Sequence, residues 1–311
     1  MTEFELIQRL TRSLPTNKSV VVGSGDDCAV LDVGLPDRFL LFKTDAVVEG
    51  IHFTPETAPE KIGHKALARC LSDIAAMAGT PTTALVTIAL PPKFDVERVE
   101  RIYDGMNALA RRHEVAIAGG ETTTNPERML ISIALLGTVL RGKAVLRSGA
   151  EAGDAIFVTG DLGGSLAGRH LEFEPRLAEA CWLVERFSIH AMIDLSDGLA
   201  GDLRHILKAS HAGAELLTAS IPVSRAAKLA SRAESAAKTP LLAALTDGED
   251  FELLFTVASK DAVPVLDAWK RRFPKVPLTC IGKITAGEGI TLRDKTGTRP
   301  LTAHGYEHFD K

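Results

Sequence analysis

Acidic residues recur in this chain where apolar runs end, beside glycines or other small residues: Asp26 and Asp27, Asp45, Glu121, Asp194 and Asp197, and Glu249 and Asp250. Strand ends and helix starts are where α/β proteins build their sites. Any one of these acids reads equally well as a turn residue or a helix cap. Taken together they suggest more. Carboxylates that converge without matching arginines repel one another, and a hard cation such as Mg²⁺ relieves the repulsion, because it takes oxygen ligands and bridges to substrate phosphates. The chemistry implied is phosphoryl transfer, where positioning and charge neutralisation supply most of the catalysis.

The usual phosphate-binding signatures are missing. Residues 163–168 (GGSLAG) have the outer glycine spacing of a Walker A loop, but Arg169 and His170 follow where Lys and Ser/Thr are required. No protein-kinase HRD or DFG set occurs, and Gly23-Ser24-Gly25 is only a short glycine pair. Three other residues have a functional and a plain reading each. His52 is a ligand contact or a structural histidine. Arg147 clamps a phosphate bidentately or is a solvated loop residue. Tyr306 stacks on a flat ring or packs the end of the chain.

The elements that must position these residues follow from periodicity. Residues 3–14 are helical in pattern, with Phe4, Ile7, Leu10 and Leu14 on one face. Residues 23–27 form a turn, and residues 39–44 a buried strand ending at Asp45. Residues 61–78 predict a long helix with Leu67, Leu71, Ile74 and Ala78 as its buried stripe. At about 100° per residue Asp73 lies roughly 130° from the middle of that stripe and is expected to face away from the core. Strands are expected over 84–90, 115–118, 130–139, 155–159, 251–257 and 278–281, and helices over 96–113 and 261–273. Residues 119–122 (GGET) read as the turn after a strand. Ser196 or Asp197 is expected to cap a helix burying Leu199, Leu203, Ile206 and Leu207. Strands and helices alternate in both halves, which predicts α/β layers. The polar, glycine-marked junction near residue 148 divides the chain into domains 1–148 and 149–311.

Composition sets the outer bounds. A chain of 311 residues, 45% hydrophobic and 24% charged, can bury a sizeable core in two domains. The net charge is -4, with no strongly basic stretch, so nucleic acid is not an expected partner. Cys28, Cys70, Cys181 and Cys280 lie far apart, which suggests neither zinc nor disulfides and fits a reducing compartment. The N-terminus lacks a signal peptide's apolar region, and no apolar run reaches membrane-span length. A cytoplasmic enzyme with no membrane partner is expected.

Read in order, these segments resemble the thiamine-monophosphate kinase family, part of a larger ATP-binding group that includes aminoimidazole ribonucleotide synthetase and selenophosphate synthetase. The matching segments are Gly25-Asp26-Asp27-Cys28-Ala29, Thr44-Asp45 with residues 48–53 (VEGIHF), residues 71–77 (LSDIAAM), and Gly119-Gly120-Glu121-Thr122. They continue with Arg147-Ser148-Gly149-Ala150, Val158-Thr159-Gly160, residues 192–199 (MIDLSDGL), residues 248–253 (GEDFEL) and residues 305–309 (GYEHF). The resemblance implies two α/β layered domains. The N-terminal one, of the aminoimidazole ribonucleotide synthetase type, would have a mixed sheet that forms a barrel in a homodimer, and ATP would lie between the domains. It implies that Asp27, Thr44, Asp45, Asp73, Glu121, Asp194 and Asp197 hold several Mg²⁺ ions. Of these, Asp27, Asp45, Asp73, Asp194 and Asp197 would be catalytic. Gly120, Glu121, Arg147 and Ser196 would bind ATP, and His52, Glu249 and Tyr306 would contact thiamine monophosphate.

The implied reaction is direct in-line transfer from ATP to thiamine monophosphate. The sequence departs from the family pattern in several places. Glu121 stands for Asp, which moves the carboxylate outward by about 1.5 Å, one C–C bond. Cys70 stands for Asn, Asp247 for Gly, and Lys43 for a small hydroxyl residue, while the stretch around residues 168–170 is shorter. The alternatives are a paralogue that binds nucleotide and thiamine phosphate without turnover, or a related ATP-dependent synthetase. A selenophosphate synthetase would want a reactive cysteine in a mobile N-terminal segment, whereas the first cysteine here is Cys28, directly after the Asp26-Asp27 pair; a carbamoyl-processing relative would want a C-terminal cysteine, whereas this chain ends His-Phe-Asp-Lys.

Overall fold

The computed structural model describes residues 3–233 and 237–306. Contacts divide the chain into two compact units. One comprises residues 18–144 with 170–177, and the other residues 1–17, 145–169 and 178–311. The chain thus changes unit at 144/145, where the sequence suggested 148. The opening helix α1 (Glu3–Thr11) groups with the second half, and a short later segment groups with the first.

The N-terminal unit contains β1 (Val20–Val22), β2 (Ala29–Leu31), β3 (Arg38–Val48), α2 (Pro59–Ala76), β4 (Thr80–Leu90), α3 (Val96–Arg112), β5 (Ala116–Thr124) and β6 (Leu130–Leu140). Its sheet runs β1-β2-β3-β6-β4-β5, antiparallel except for the β4/β5 pair. β3 and β6 pair without interruption from Arg38↔Leu140 to Val48↔Leu130. β3 therefore continues past Asp45, which lies inside the strand and not at its end. The two-residue period of β6 places Ile131, Ile133, Leu135 and Val139 on one buried face, and α2 packs on β3 and β6. On its other side α2 meets α3 closely: a Cβ at Gly63 would sit 1.8 Å from the Ile102 carbonyl oxygen.

Sandwiched in this way, α2 is buried almost all round, including Lys65, Ser72 and Asp73. This corrects the expectation for Asp73. It does lie off the apolar stripe, yet it is only 7% exposed. The GGET segment is also not a turn. It forms most of edge strand β5, in parallel register with β4 after a bulge at Ala84/Leu85.

The C-terminal unit contains, after α1, β7 (Ala155–Thr159), α4 (Leu177–Arg186), β8 (Ile189–Asp194), α5 (Leu199–Ser210), β9 (Gly213–Leu217), α6 (Arg225–Ala230), α7 (Pro240–Thr246), β10 (Leu253–Val257), α8 (Ala262–Arg272), β11 (Leu278–Thr285), β12 (Gly289–Asp294) and β13 (Gly297–Pro300). Its sheet order is β13-β12-β9-β11-β7-β10-β8, mostly antiparallel with one parallel pair, β12/β9. The core includes Ile156, Val158, Ile193, Leu203, Ile206 and Leu254, and burial of each such side chain stabilises by roughly 1.5–3 kcal/mol. The fold is thus two α/β layers with mixed sheets. All four cysteines are free thiols, and among the described residues no helix is long and apolar enough to cross a membrane.

Candidate active site

In the N-terminal unit the candidate residues gather around one side of α2. Lys65, Arg69 and Asp73 follow one another at four-residue spacing, which stacks them on one helix face. Each meets a partner. Lys65 Nζ donates to the His52 carbonyl oxygen at 2.7 Å, Arg69 Nε donates to Asp45 Oδ2 at 2.9 Å, and Lys43 Nζ lies 2.9 Å from Asp73 Oδ1. Asp27 and Asp73, both buried, each present a carboxylate oxygen within 4.8 Å of the other's. The expectation of carboxylates without matching cations is therefore corrected here: Arg69 and Lys43 stand among them. Burial works to strip the Lys43 proton, but the charges of Asp73, Asp45 and Asp27 outweigh it and raise the ammonium's pKa. Burial, and then the Asp73 charge, push the neighbouring Cys28 thiol up, so it stays protonated. Burial does the same to Cys70, whose Sγ donates to the Ile133 carbonyl at 3.7 Å.

Strand geometry separates two other candidates from this group. Asp45 is in register with Ile133, and Ile133 with Val86, on the face that carries Lys43. Thr44 and, through Thr87 and Ser132, Glu121 stand on the opposite face. Both are exposed. Thr44 can therefore join a ligand of Asp45 only through its main chain. Gly120 faces Val86, where a Cβ would sit 1.8 Å from the Val86 carbonyl oxygen, so the strand tolerates only glycine there. His52 is held in a tight turn: its Nδ1 accepts from the Val48 N–H at 3.1 Å. In the neutral ring this leaves the proton on Nε2.

In the C-terminal unit two segments, around residues 194–198 and 248–252, are joined through the main chain. Leu195 N–H donates to the Glu252 carbonyl at 2.8 Å, Phe251 N–H to Leu195 at 2.7 Å and Glu249 N–H to Ser196 at 2.6 Å. Tyr306 N–H donates to the Asp197 carbonyl at 2.9 Å. Ser196, Asp197, Glu249 and Tyr306 are thus brought together, with Asp194 buried at the end of β8. Glu307, His308 and Phe309 of the C-terminal motif lie outside the described residues. The helix after this segment is capped by Gly198, with no side-chain cap bond, so neither Ser196 nor Asp197 is the cap.

The acid that sequence reasoning missed is Asp202. Its Oδ2 accepts from the Asp197 N–H at 3.0 Å. Burial, then the charges of Asp197 and Asp194, push its pKa well up, while Arg147 opposes them. Arg147 therefore lies near this acidic group. The spacing of Asp202, five residues after Asp197 and in the first turn of α5, was the available signal.

A second missed feature is Arg169. It donates through Nη2 to Asp250 Oδ1 at 2.7 Å and through Nη1 to Glu252 Oε1 at 3.1 Å. Both acids are almost completely buried. The glycine-rich loop adds to this: Gly163 N–H donates to Asp250 Oδ2 at 2.8 Å and Gly164 N–H to Asp247 Oδ2 at 3.0 Å. Two amides of a phosphate-loop look-alike are therefore committed to carboxylates of the chain itself. Asp250 is a structural acid whose pKa burial raises to about 7, against the lowering effect of Arg169. Asp247 does not occupy a positive-φ position either. Its φ is −75°, and the left-handed residues are Gly248, Glu249 and Phe251, at φ 68°, 54° and 50°.

The family models for AIR synthase related proteins match the chain twice, the N-terminal domain over residues 25–139 and the C-terminal domain over residues 151–295. The chain is 44% identical to the thiamine-monophosphate kinase of Rhodopirellula baltica over 92% of this chain and 89% of that protein. The chain belongs to the thiamine-monophosphate kinase family. The family member of Escherichia coli K12 is 38% identical over 99% of this chain and 98% of its own length. A solved structure of the kinase family, AaThiL complexed with AMPPCP and TMP, superposes with a TM-score of 0.81 at 30% identity, covering 99% of this chain and 97% of that one. Of the residues the sequence reading singled out as departures, Lys43 is the one placed most directly among the acids.

Proposed function

We propose that this chain transfers the terminal phosphoryl group of ATP to thiamine monophosphate, giving ADP and thiamine diphosphate, in a magnesium-dependent reaction. The observation that carries the reading at the site is the pair of buried carboxylates of Asp27 and Asp73. Carboxylate oxygens are the donors a hard cation takes, and one oxygen of each lies within 4.8 Å of the other. The donor set therefore fits the ion. The AMPPCP and TMP bound to the superposed relative support a nucleotide and a thiamine phosphate as the two substrates.

In this reading Asp27, Asp45, Asp73, Asp194 and Asp197 hold magnesium, with the Thr44 main chain as a further ligand, while Glu121, on the opposite sheet face, stands apart from the Asp45 group. When bound, the ions supply neutralisation of the phosphate charges. Gly120, Arg147 and Ser196 bind ATP. His52 offers its Nε2 proton to the acceptor, Tyr306 packs on it, and the Glu249 carboxylate sits by the cationic thiazolium. The acceptor phosphate has a second pKa near 6 and is already largely ionised at pH 7, so no residue is needed to take a proton from it. The roles of the chain's own side chains are to bind, align and exclude water.

The reading extends to a cytoplasmic homodimer. The sheet face of the N-terminal unit turned away from α2 exposes Phe42 and Leu85, and large exposed apolar side chains on one face mark interaction surfaces. The experiment is ADP release with ATP and Mg²⁺, comparing thiamine monophosphate, free thiamine and no acceptor. ADP and thiamine diphosphate formed only with the monophosphate support the reading. Tight Mg-ATP binding without turnover refutes it in favour of a binding paralogue or a sister enzyme with another acceptor.

A further inference from the structure

Three carboxylates of the N-terminal unit, Asp27, Asp45 and Asp73, share two resident cations. Arg69 engages Asp45, and Lys43 reaches Asp73 at 2.9 Å with its side chain about three-quarters covered. Two of the three acids thus have a cation in direct contact, and the carboxylates outnumber the cations. Lys43 gets there by strand geometry. It stands two residues before Asp45 on β3, on the same face, and across from it lies the α2 face bearing Arg69 and Asp73. An ammonium is a compact point charge with three donors and no capacity to accept. Held 2.9 Å from one oxygen of a buried carboxylate, it occupies a place a metal ion would otherwise take, and it repels any cation approaching that oxygen.

We infer that the Lys43 ammonium serves as a tethered replacement for one divalent ion at the Asp27/Asp73 pair, so that the chain works with one metal fewer than the same carboxylates would otherwise hold. This inference rests on the reading of these acids as a magnesium site. It adds a positioning role for Lys43: fixing the Asp73 carboxylate and presetting the charge that the transferring phosphates meet. It also accounts for a lysine amid metal-type ligands without loss of their function.

The test counts metals directly. Mn²⁺ serves as the probe, with the full chain and AMPPCP, and free Mn²⁺ is read by electron paramagnetic resonance. Lys43→Thr and Lys43→Met each bind one Mn²⁺ per chain more than the wild type, and Lys43→Arg binds the wild-type number. Equal counts in wild type, Lys43→Thr and Lys43→Met overturn the inference while leaving the magnesium reading intact. Absence of nucleotide-dependent Mn²⁺ binding in every form refutes the magnesium reading itself, and the inference with it. A measurement on the wild type alone guards against variants that fail to fold. The ¹⁵Nζ resonance of Lys43 persists, slow to exchange with water, at saturating Mg²⁺ and AMPPCP. Its loss on adding Mg²⁺ shows that metal displaces the ammonium and overturns the inference.

Discussion

Arg169→Met removes the guanidinium that bridges Asp250 and Glu252, and its cost can be worked from the structure. Two charge-assisted hydrogen bonds are lost, each worth about 1.5–3 kcal/mol, and two acids that are 1% and 2% exposed lose their cation. Breaking a buried pair from one side costs about 3–5 kcal/mol. Two facts place this case at the low end. The Arg169 side chain is 36% exposed, so water enters in its place, and Asp250, with a pKa of about 7, takes up a proton readily. The expected loss is about 3 kcal/mol. Both tryptophans, Trp182 and Trp269, lie in the C-terminal unit, so urea unfolding followed by their fluorescence reports this unit. Neutralising the acids in Arg169→Met/Asp250→Asn/Glu252→Gln should recover part of the loss, because no unpaired charge then stays buried. The same change loosens the segment bearing Glu249, so KM for thiamine monophosphate should rise about tenfold, equivalent to about 1.4 kcal/mol of binding, while KM for ATP moves less. A loss below about 0.5 kcal/mol, the usual range of a surface substitution, or a triple variant less stable than the single one, refutes the reasoning.

Asp73→Asn should abolish ADP release. Because Asp73 is buried against Lys43, it should also destabilise by about 2–3 kcal/mol, as breaking a partly screened buried pair does; retained turnover sinks the site assignment. Glu121→Asp, on exposed β5, should keep or raise kcat and leave thermal stability unchanged, whereas a large fall in kcat would mean the site is built around the longer side chain. His205 has its pKa lowered to about 4, first by burial and then by Arg147 and Lys208. Its unfolded value is near 6.5, so the unfolded state binds more protons between about pH 4 and 6.5, and His205 makes stability rise with pH across that window. In thermal melts against pH, His205→Gln should flatten this rise, and an unchanged profile contradicts the assignment. Asp250 acts in the opposite sense. Its folded pKa of about 7 exceeds the unfolded one, so its contribution favours the folded state at low pH and fades between about pH 4 and 7. Asp250→Asn should remove that decline.

Local patterns in the sequence carried much of the fold. The long helices and β6 follow from 3.6- and two-residue periods, because burial of one face dictates them. The acids Asp27, Asp45, Asp194 and Asp197 also stood out, less singly than as a recurring set beside small residues, whereas Asp73, inside α2, was marked by the family resemblance. What the sequence withheld was set by partners distant in the chain. Asp73 reads as outward-facing on its own helix, and only the sheet and α3 together bury it. Gly119 and Gly120 look like turn residues until β4 pairs with them, and a bulge then lets a glycine pair run as an edge strand. The cations of Lys43, Arg69 and Arg169 are ordinary in isolation and acquire meaning only through acids on other elements. The left-handed backbone falls at Glu249 and Phe251, not at Asp247, because it is imposed by main-chain bonds to Leu195 and Ser196.

That backbone has an evolutionary consequence. A non-glycine residue at φ 54° carries about 1 kcal/mol or more of strain that glycine would not. At position 249 glycine therefore looks better by thermostability alone, and glutamate only by its carboxylate. A directed-evolution screen that rewards heat resistance without demanding thiamine diphosphate should accumulate glycine there. One that demands growth without external thiamine diphosphate should keep glutamate, which makes this position a marker of which pressure a lineage has been under.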